Sequence, residues 1–291
     1  MLEQAWPEHF CSSKKRNAPT KEMRLEFSDE MGRFLQTVAR APRSVLLLDY
    51  DGTLAPFSID REQAVPYAGV REVLQEILDA ERTRLIVITG RNAHEINPLL
   101  QINPPLEVWG CHGQQHLQID GTSEMHPLDP NVAQALEDAE RWMAYQGLQA
   151  MVEAKPTSVA VHWRGLSETD AVELRGRILL GWFPIADRGG LSVVEFDGGI
   201  ELRLAHRDKS DAVQTILQQL DSSCPVAFLG DDVTDERAFR ALAPYGLTVL
   251  VRSEYRRTAA QFWLRPPEEL LDFLSRWRDA CRPIRLAQTA T

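Results

Sequence analysis

The 291-residue chain has no apolar run approaching the ~18 residues that a membrane-spanning helix needs. Its start, Met1 to about Glu26, is polar, carries Lys14-Lys15-Arg16 and lacks the apolar stretch of a secretory signal. The expectation is a cytoplasmic protein with a loose tail over residues 1–25. Basic charge is not in excess: the net charge is −10, which argues against nucleic acid as a partner. Four cysteines (Cys11, Cys111, Cys224, Cys281) are scattered without a Cys-x-x-Cys pair. That excludes a zinc site or disulfide framework and suits a reducing compartment. No internal repeat or low-complexity segment is present.

Ordinary globular material remains, with 44% apolar residues, enough for one large or two modest domains. The most informative stretch is residues 45–54, Val-Leu-Leu-Leu-Asp-Tyr-Asp-Gly-Thr-Leu. A short, uninterrupted apolar run reads as a strand buried on both faces of a parallel sheet. It delivers Asp49 and Asp51 to the carboxyl end of that strand, where ligands bind in open α/β sheets. A calcium EF-hand loop would need Gly and Glu where this chain has Leu54 and Asp60, so that reading fails.

The flanking pattern alternates. Helical spacing covers Glu30–Arg40, Gly69–Ala80 and Ala93–Leu100, and strand-like runs cover Arg84–Ile88 and Glu107–Trp109. Between about Leu117 and Leu204 the rhythm changes to amphipathic helices (Val132–Gln146, Thr169–Leu180) and alternating strands (Ser158–Trp163, Leu191–Phe196, Ile200–Leu204). The first rhythm then resumes with helices at Lys209–Leu220, Asp235–Ala243 and Pro267–Arg278 and strands at Val226–Leu229 and Leu247–Val251. The predicted fold is α/β: a doubly wound, Rossmann-like parallel-sheet core over 26–116 and 205–291, interrupted by a smaller α+β insertion over 117–204.

The acidic strand end fits phosphoryl transfer. Asp49 is the candidate nucleophile, and attack by a carboxylate on a phosphate dianion needs a bridging divalent cation. Mg²⁺ suits one or two carboxylates plus water and phosphate. Asp51 is placed to protonate the leaving oxygen and later to deprotonate water. Thr89, at the tip of the second strand, offers a hydroxyl and amides to phosphoryl oxygens, or else caps the next helix. Lys209 offers a point charge at a helix start. Phe228-Leu229-Gly230-Asp231-Asp232-Val233-Thr234-Asp235-Glu236 repeats the strand-to-carboxylate pattern. There Asp231 is the third candidate metal ligand beside Asp49 and Asp51. Asp232 and Asp235 lie behind it, with Asp235 placed to cap the following helix.

Together Asp49-x-Asp51, Thr89, Lys209 and Asp231-Asp232-x-x-Asp235 resemble the four motifs of the haloacid dehalogenase superfamily. Within it, Leu48-Asp-Tyr-Asp-Gly-Thr-Leu-Ala-Pro56, Thr89-Gly-Arg91, His112-Gly113, Glu153-x-Lys155, Val159-Ala-Val-His162-x-Arg164 and Glu201-Leu-Arg203 are similar to the trehalose-6-phosphate phosphatase family. The resemblance implies a C2-type cap, Mg²⁺ and a disaccharide phosphate substrate hydrolysed through an aspartyl-phosphate. It also implies sugar contacts from Glu153, Lys155 and Glu201 on the cap, and from Arg91, His112 and Gly113 on the core side. His162 and Arg164 are expected to be structural parts of the cap sheet, and the cap is expected to close over substrate.

Two stretches depart from that family. Leu204-Ala-His206-Arg-Asp208-Lys-Ser210 stands where Pro-x-Gly and then Asn-Lys-Gly are usual, and Gln114-Gln115 stands where Ala-Glu is. Both leave the phosphatase chemistry in place and loosen the link to one sugar. Alternatives are a phosphatase of sucrose phosphate or mannosyl-3-phosphoglycerate, a phosphomutase, or a catalytically silent sugar-phosphate sensor.

Overall fold

The computed structural model describes residues 21–58 and 61–282. Residues 1–20 of the expected tail lie outside the described residues. Residues 21–25 do not: they open α1 (Lys21–Arg40), which begins well before the expected Glu30.

Next come β1 (Ser44–Leu48), α2 (Val70–Asp79), β2 (Thr83–Ile88), α3 (Ile96–Leu100) and β3 (Glu107–Gly110). A hairpin, β4 (Gln115–Leu117) and β5 (Ser123–Met125), leads to α4 (Pro130–Tyr145), β6 (Val152–Lys155), β7 (Ser158–His162) and α5 (Glu168–Gly189). Then follow β8 (Leu191–Phe196), β9 (Gly199–Leu204), α6 (Lys209–Leu217), β10 (Val226–Gly230), α7 (Glu236–Leu242), β11 (Leu247–Val251), β12 (Phe262–Leu264) and α8 (Glu268–Cys281).

The large sheet runs β12-β11-β10-β1-β2-β3-β4-β5, parallel from β12 to β3 and antiparallel beyond. Every residue of β1 is buried, and successive side chains enter opposite layers. Leu46 and Leu48 pack with α1, α2, α3 and α8, whereas Val45 and Leu47 pack with α6 and α7. That two-sided burial is why the strand reads as a continuous apolar run instead of an alternation. From β1 the chain winds outward through β2 and β3 and later returns to β10 on the other side. The β1–β10 seam is therefore the switch point of the sheet, where a crevice opens beyond the strand ends.

The second sheet, β6-β7-β9-β8, is wholly antiparallel. Val159, Val161, Ile200 and Leu202 face α4 and α5 in a separate apolar core. The opposite face is polar. α5 continues to Gly189, beyond the expected Leu180 and through Pro184. Burial of Trp182, Ile185 and Ala186 on that extension offsets the hydrogen bond that proline removes. The insertion also begins later than the expected residue 117. β4 and β5 pair onto the edge of the large sheet, with His116 stacked on Trp109 at 4.2 Å and Leu117 buried. The α+β unit thus starts after Met125.

Candidate active site

β1 hands the chain to Asp49, whose N–H donates to the Leu229 carbonyl at 2.8 Å, tying it to β10. Gly52 takes φ +83°, and a Cβ there would lie 2.2 Å from Asp231 Oδ2. Only glycine lets this turn approach the β10 carboxylate so closely. α6 opens with Lys209. Its preceding residue, Asp208, accepts from the Ser210 N–H at 2.7 Å and forms a reciprocal cap with Asp211. The start of the helix, and with it Lys209, is thereby fixed.

Lys209 Nζ lies 2.6 Å from Asp49 Oδ1 and 2.7 Å from Asp235 Oδ1, all three side chains being sealed from solvent. The other Asp235 oxygen accepts the backbone N–H groups of Asp231 and Asp232, each at 3.0 Å. Asp235 therefore does not cap α7 as expected. Its carboxylate turns back to brace the strand end, and the Asp232 side chain accepts from Val233 N–H at 2.7 Å instead.

Among the described residues, the carboxylates that converge on one point, with oxygens within 4.8 Å of one another, belong to Asp49, Asp231 and Asp235. Burial, opposed by Lys209 and reinforced by Asp235, pushes the Asp49 carboxyl up to about 7. Burial, with Asp49, Asp235 and Asp232 nearby, raises Asp231 well above the carboxylate range. Lys209 is raised by Asp235 and Asp49 against the opposing effect of burial. One ammonium cannot balance this many buried acids, and Asp231 Oδ2 is buried with no hydrogen-bond partner among the described residues. Oxygen-only donors around an unsatisfied oxygen fit a hard divalent cation.

Asp51 was expected among the metal ligands by its side chain; the structure places that carboxylate elsewhere. The turn from Asp51 to Ala55 aims it at Arg91, which donates from Nε at 2.7 Å and from Nη2 at 2.6 Å. Thr89 is buried, and its Oγ1 accepts the Arg91 N–H at 3.1 Å. Asn92, not Thr89, caps the turn that follows. His112 sits at φ +54° with its N–H on the Thr89 carbonyl at 2.9 Å, and its ring packs against Gly90. Gly113 faces α6 instead of the cleft, its Cβ position 3.1 Å from the Asp208 carbonyl oxygen.

The polar face of the smaller sheet closes the site. Glu201 Oε1 accepts from Lys155 at 2.9 Å and from Ser158 Oγ at 2.7 Å, while its Oε2 lies 2.8 Å from His112 Nε2 on the core. Burial opposes ionisation of Glu201, yet His112, Lys155 and Arg203 hold it well below the ordinary range. Burial pushes His112 down to about 4. Glu153 stands 3.5 Å from Lys155 and 2.7 Å from His162 Nε2. The cleft is lined by Asp49, Asp51, Thr89, Lys209 and Asp231 below and by Glu153, Lys155 and Glu201 above.

Sequence reasoning did not place Phe57, Ser58, Gly90, His162, Arg164, Phe196 or Thr234 on the cleft wall, and the structure does. His162 and Arg164 were expected to be structural. The period-two pattern placed His162 on the same face as Ser158, which was a usable signal, but nothing local indicated which face met the core.

The structure sets carboxylates at the switch point of a doubly wound sheet, under an inserted α+β unit, the arrangement expected from the resemblance to the haloacid dehalogenase motifs. The trehalose-phosphatase family model matches residues 47–266, and the chain belongs to that family. A trehalose-phosphate phosphatase of Mycobacterium marinum is 29% identical over 248 residues, covering 81% of this chain and 61% of the relative. The chain thus spans about three fifths of that relative's length. Trehalose-phosphate phosphatase B of Arabidopsis thaliana is 27% identical over 265 residues, covering 82% and 67% respectively. The C-terminal domain of a Candida albicans trehalose-6-phosphate phosphatase superposes with a TM-score of 0.74 at 18% identity, covering 86% of this chain and 96% of that one.

Proposed function

We propose that this protein hydrolyses trehalose 6-phosphate to trehalose and inorganic phosphate, with Mg²⁺ as its cation. The observation that carries the reading is a buried Asp49, held by Lys209 beside Asp231, facing a sheet that presents Glu153, Lys155 and Glu201. Membership of the trehalose-phosphatase family supports the same substrate. No helix among the described residues is long and apolar enough to cross a membrane.

Asp49 and Asp231, with Asp235 behind them, would hold the cation. Bound there, it supplies the positive charge that lets a carboxylate approach a phosphate dianion. The remaining work falls to the chain. Asp49 attacks phosphorus, its new O–P bond forming as the bond to the sugar oxygen breaks. Asp51, steered by Arg91, gives the departing oxygen a proton and then takes one from the water that opens the aspartyl-phosphate. Lys209 and the Thr89 hydroxyl donate to the phosphoryl oxygens. Glu153, Lys155 and Glu201 give an uncharged disaccharide both acceptors and donors, and His112 approaches the same sugar from the core.

Phosphate release from trehalose 6-phosphate, sucrose phosphate and mannosyl-3-phosphoglycerate, with and without Mg²⁺, tests this directly. Trehalose 6-phosphate is expected to have the highest kcat/KM, and Asp49→Asn is expected to abolish turnover. A clear preference for another ester rejects the substrate, and full activity of Asp49→Asn rejects the mechanism.

A further inference from the structure

The two-residue turn between β8 and β9, Asp197-Gly198, rests on the core beside the acidic loop. The Asp197 N–H donates to Asp232 Oδ2 at 3.1 Å. Arg252, one residue past β11, donates from Nη2 to Asp197 Oδ2 at 2.5 Å. Arg164 completes the contact, donating to the Asp197 carbonyl while its guanidinium carbon lies 4.1 Å from the centre of the Phe57 ring. Gly198, at φ +82°, leaves room for the Arg164 stem, since a Cβ would fall 2.5 Å from Arg164 Cγ. The other Arg252 terminal nitrogen, Nη1, stands 3.9 Å from Asp231 Oδ2, the buried oxygen that has no hydrogen-bond partner among the described residues. One guanidinium therefore faces two carboxylates: one on the inserted unit, one in the converging cluster.

We infer that Arg252 is a positioning residue that couples the seating of the β8–β9 turn to the availability of Asp231 for a divalent cation. With the turn seated, Asp197 holds Arg252 beyond hydrogen-bond distance of Asp231. When the turn lifts, Arg252 loses its 2.5 Å partner, and Asp231 Oδ2 becomes its nearest anionic acceptor. A guanidinium on that oxygen takes the place a cation needs and adds a like charge beside it. Enclosure of substrate and binding of the cation then favour each other, and the coupling is reciprocal. The inference rests on the proposed reading of Asp231 as a metal ligand.

The test is calorimetric titration of Mg²⁺ into the folded, substrate-free chain, for the wild type, Asp197→Asn, Arg252→Gln and the double variant. Both residues are partly exposed, so the folds are expected to survive, as circular dichroism will check. Asp197→Asn is expected to weaken Mg²⁺ binding about tenfold, and Arg252→Gln to tighten it by a similar factor, given solvent screening of a unit charge near 4 Å. With Arg252→Gln in place, Asp197→Asn should no longer change the affinity. Equal weakening by Asp197→Asn in both backgrounds would mean simple loss of a distant negative charge and would overturn the coupling. So would an unchanged affinity in Arg252→Gln. Absence of Mg²⁺ binding in the wild type overturns the metal reading and the inference together. Failure to hydrolyse trehalose 6-phosphate rejects only the proposed substrate, because the titrations contain none.

Discussion

Lys209 Nζ lies 2.6 Å from Asp49 Oδ1 with neither side chain open to solvent. The pair joins the first residue of α6 to the first residue past β1, 160 positions apart in sequence. Deleting the ammonium leaves the buried carboxylates of Asp49 and Asp235 without their shared counter-charge, which costs about 3–5 kcal/mol, whereas loss of the Asp49 charge leaves Lys209 still paired with Asp235. Lys209→Met is therefore expected to lower the urea midpoint by that amount of stability and to abolish turnover. A variant as stable as wild type would show that the ammonium is not the counter-charge described here.

Cation binding should be visible without any substrate. A ligand at 100 times its Kd stabilises by about 2.7 kcal/mol, and a chain of this size gains roughly 2–4 °C in Tm per kcal/mol. Mg²⁺ is expected to raise Tm by about 5–10 °C over a chelated sample, and Asp231→Asn to remove most of that rise. Scanning calorimetry of the two proteins with and without chelator makes the comparison.

Asp49 links catalysis to stability in the metal-free protein. Its folded carboxyl, at about 7, lies above its unfolded value of 3.8, so its contribution is full at acid pH and is lost as pH rises through 7. Asp49→Asn removes the buried charge. In chelator, the variant should match wild type near pH 4 and unfold at higher urea near pH 8. A midpoint lower than wild type at pH 8 would contradict the burial argument.

His112 has the opposite sign. Burial places it at about 4 when folded against 6.5 unfolded, so its contribution is present above pH 6.5 and is lost as pH falls towards 4. The full swing is at most about 3 kcal/mol. His112→Asn should abolish this component, so the wild-type advantage over the variant shrinks as pH falls from 7 to 4. Parallel pH-stability curves would refute it.

The insertion's acidic and basic residues should matter for the sugar and not for the phosphate. Glu153→Gln and Lys155→Met are each expected to raise KM for trehalose 6-phosphate about 10–100-fold, the effect of losing a charge-assisted hydrogen bond. Turnover of p-nitrophenyl phosphate, which has no disaccharide, is expected to stay within about twofold. An equal loss on both substrates would make these residues structural.

Much of the architecture was readable because it is local. Leu46 and Leu47 face different layers of one sheet, so an unbroken apolar run was a sufficient sign of a central parallel strand. The expected boundary at residue 117 falls inside the β4–β5 hairpin, because two three-residue strands carry too little pattern to show which sheet they extend. The same limit applied to α5, whose expected end at Leu180 the buried face of Trp182 and Ile185 carries on to Gly189.

The chain alone determined that two acidic strand ends exist, that they precede Gly52 and follow Phe228, and that a lysine opens the helix between them. Spacing along a strand or helix fixes such things, since they depend on neighbours a few residues away. Only the tertiary structure decided that Asp235 joins the converging carboxylates while Asp51 turns to Arg91, and that Arg252 stands between Asp197 and Asp231. Those choices are made by electrostatics among groups brought together from distant segments, where a rotation of one side chain changes its partner without changing the pattern that placed it.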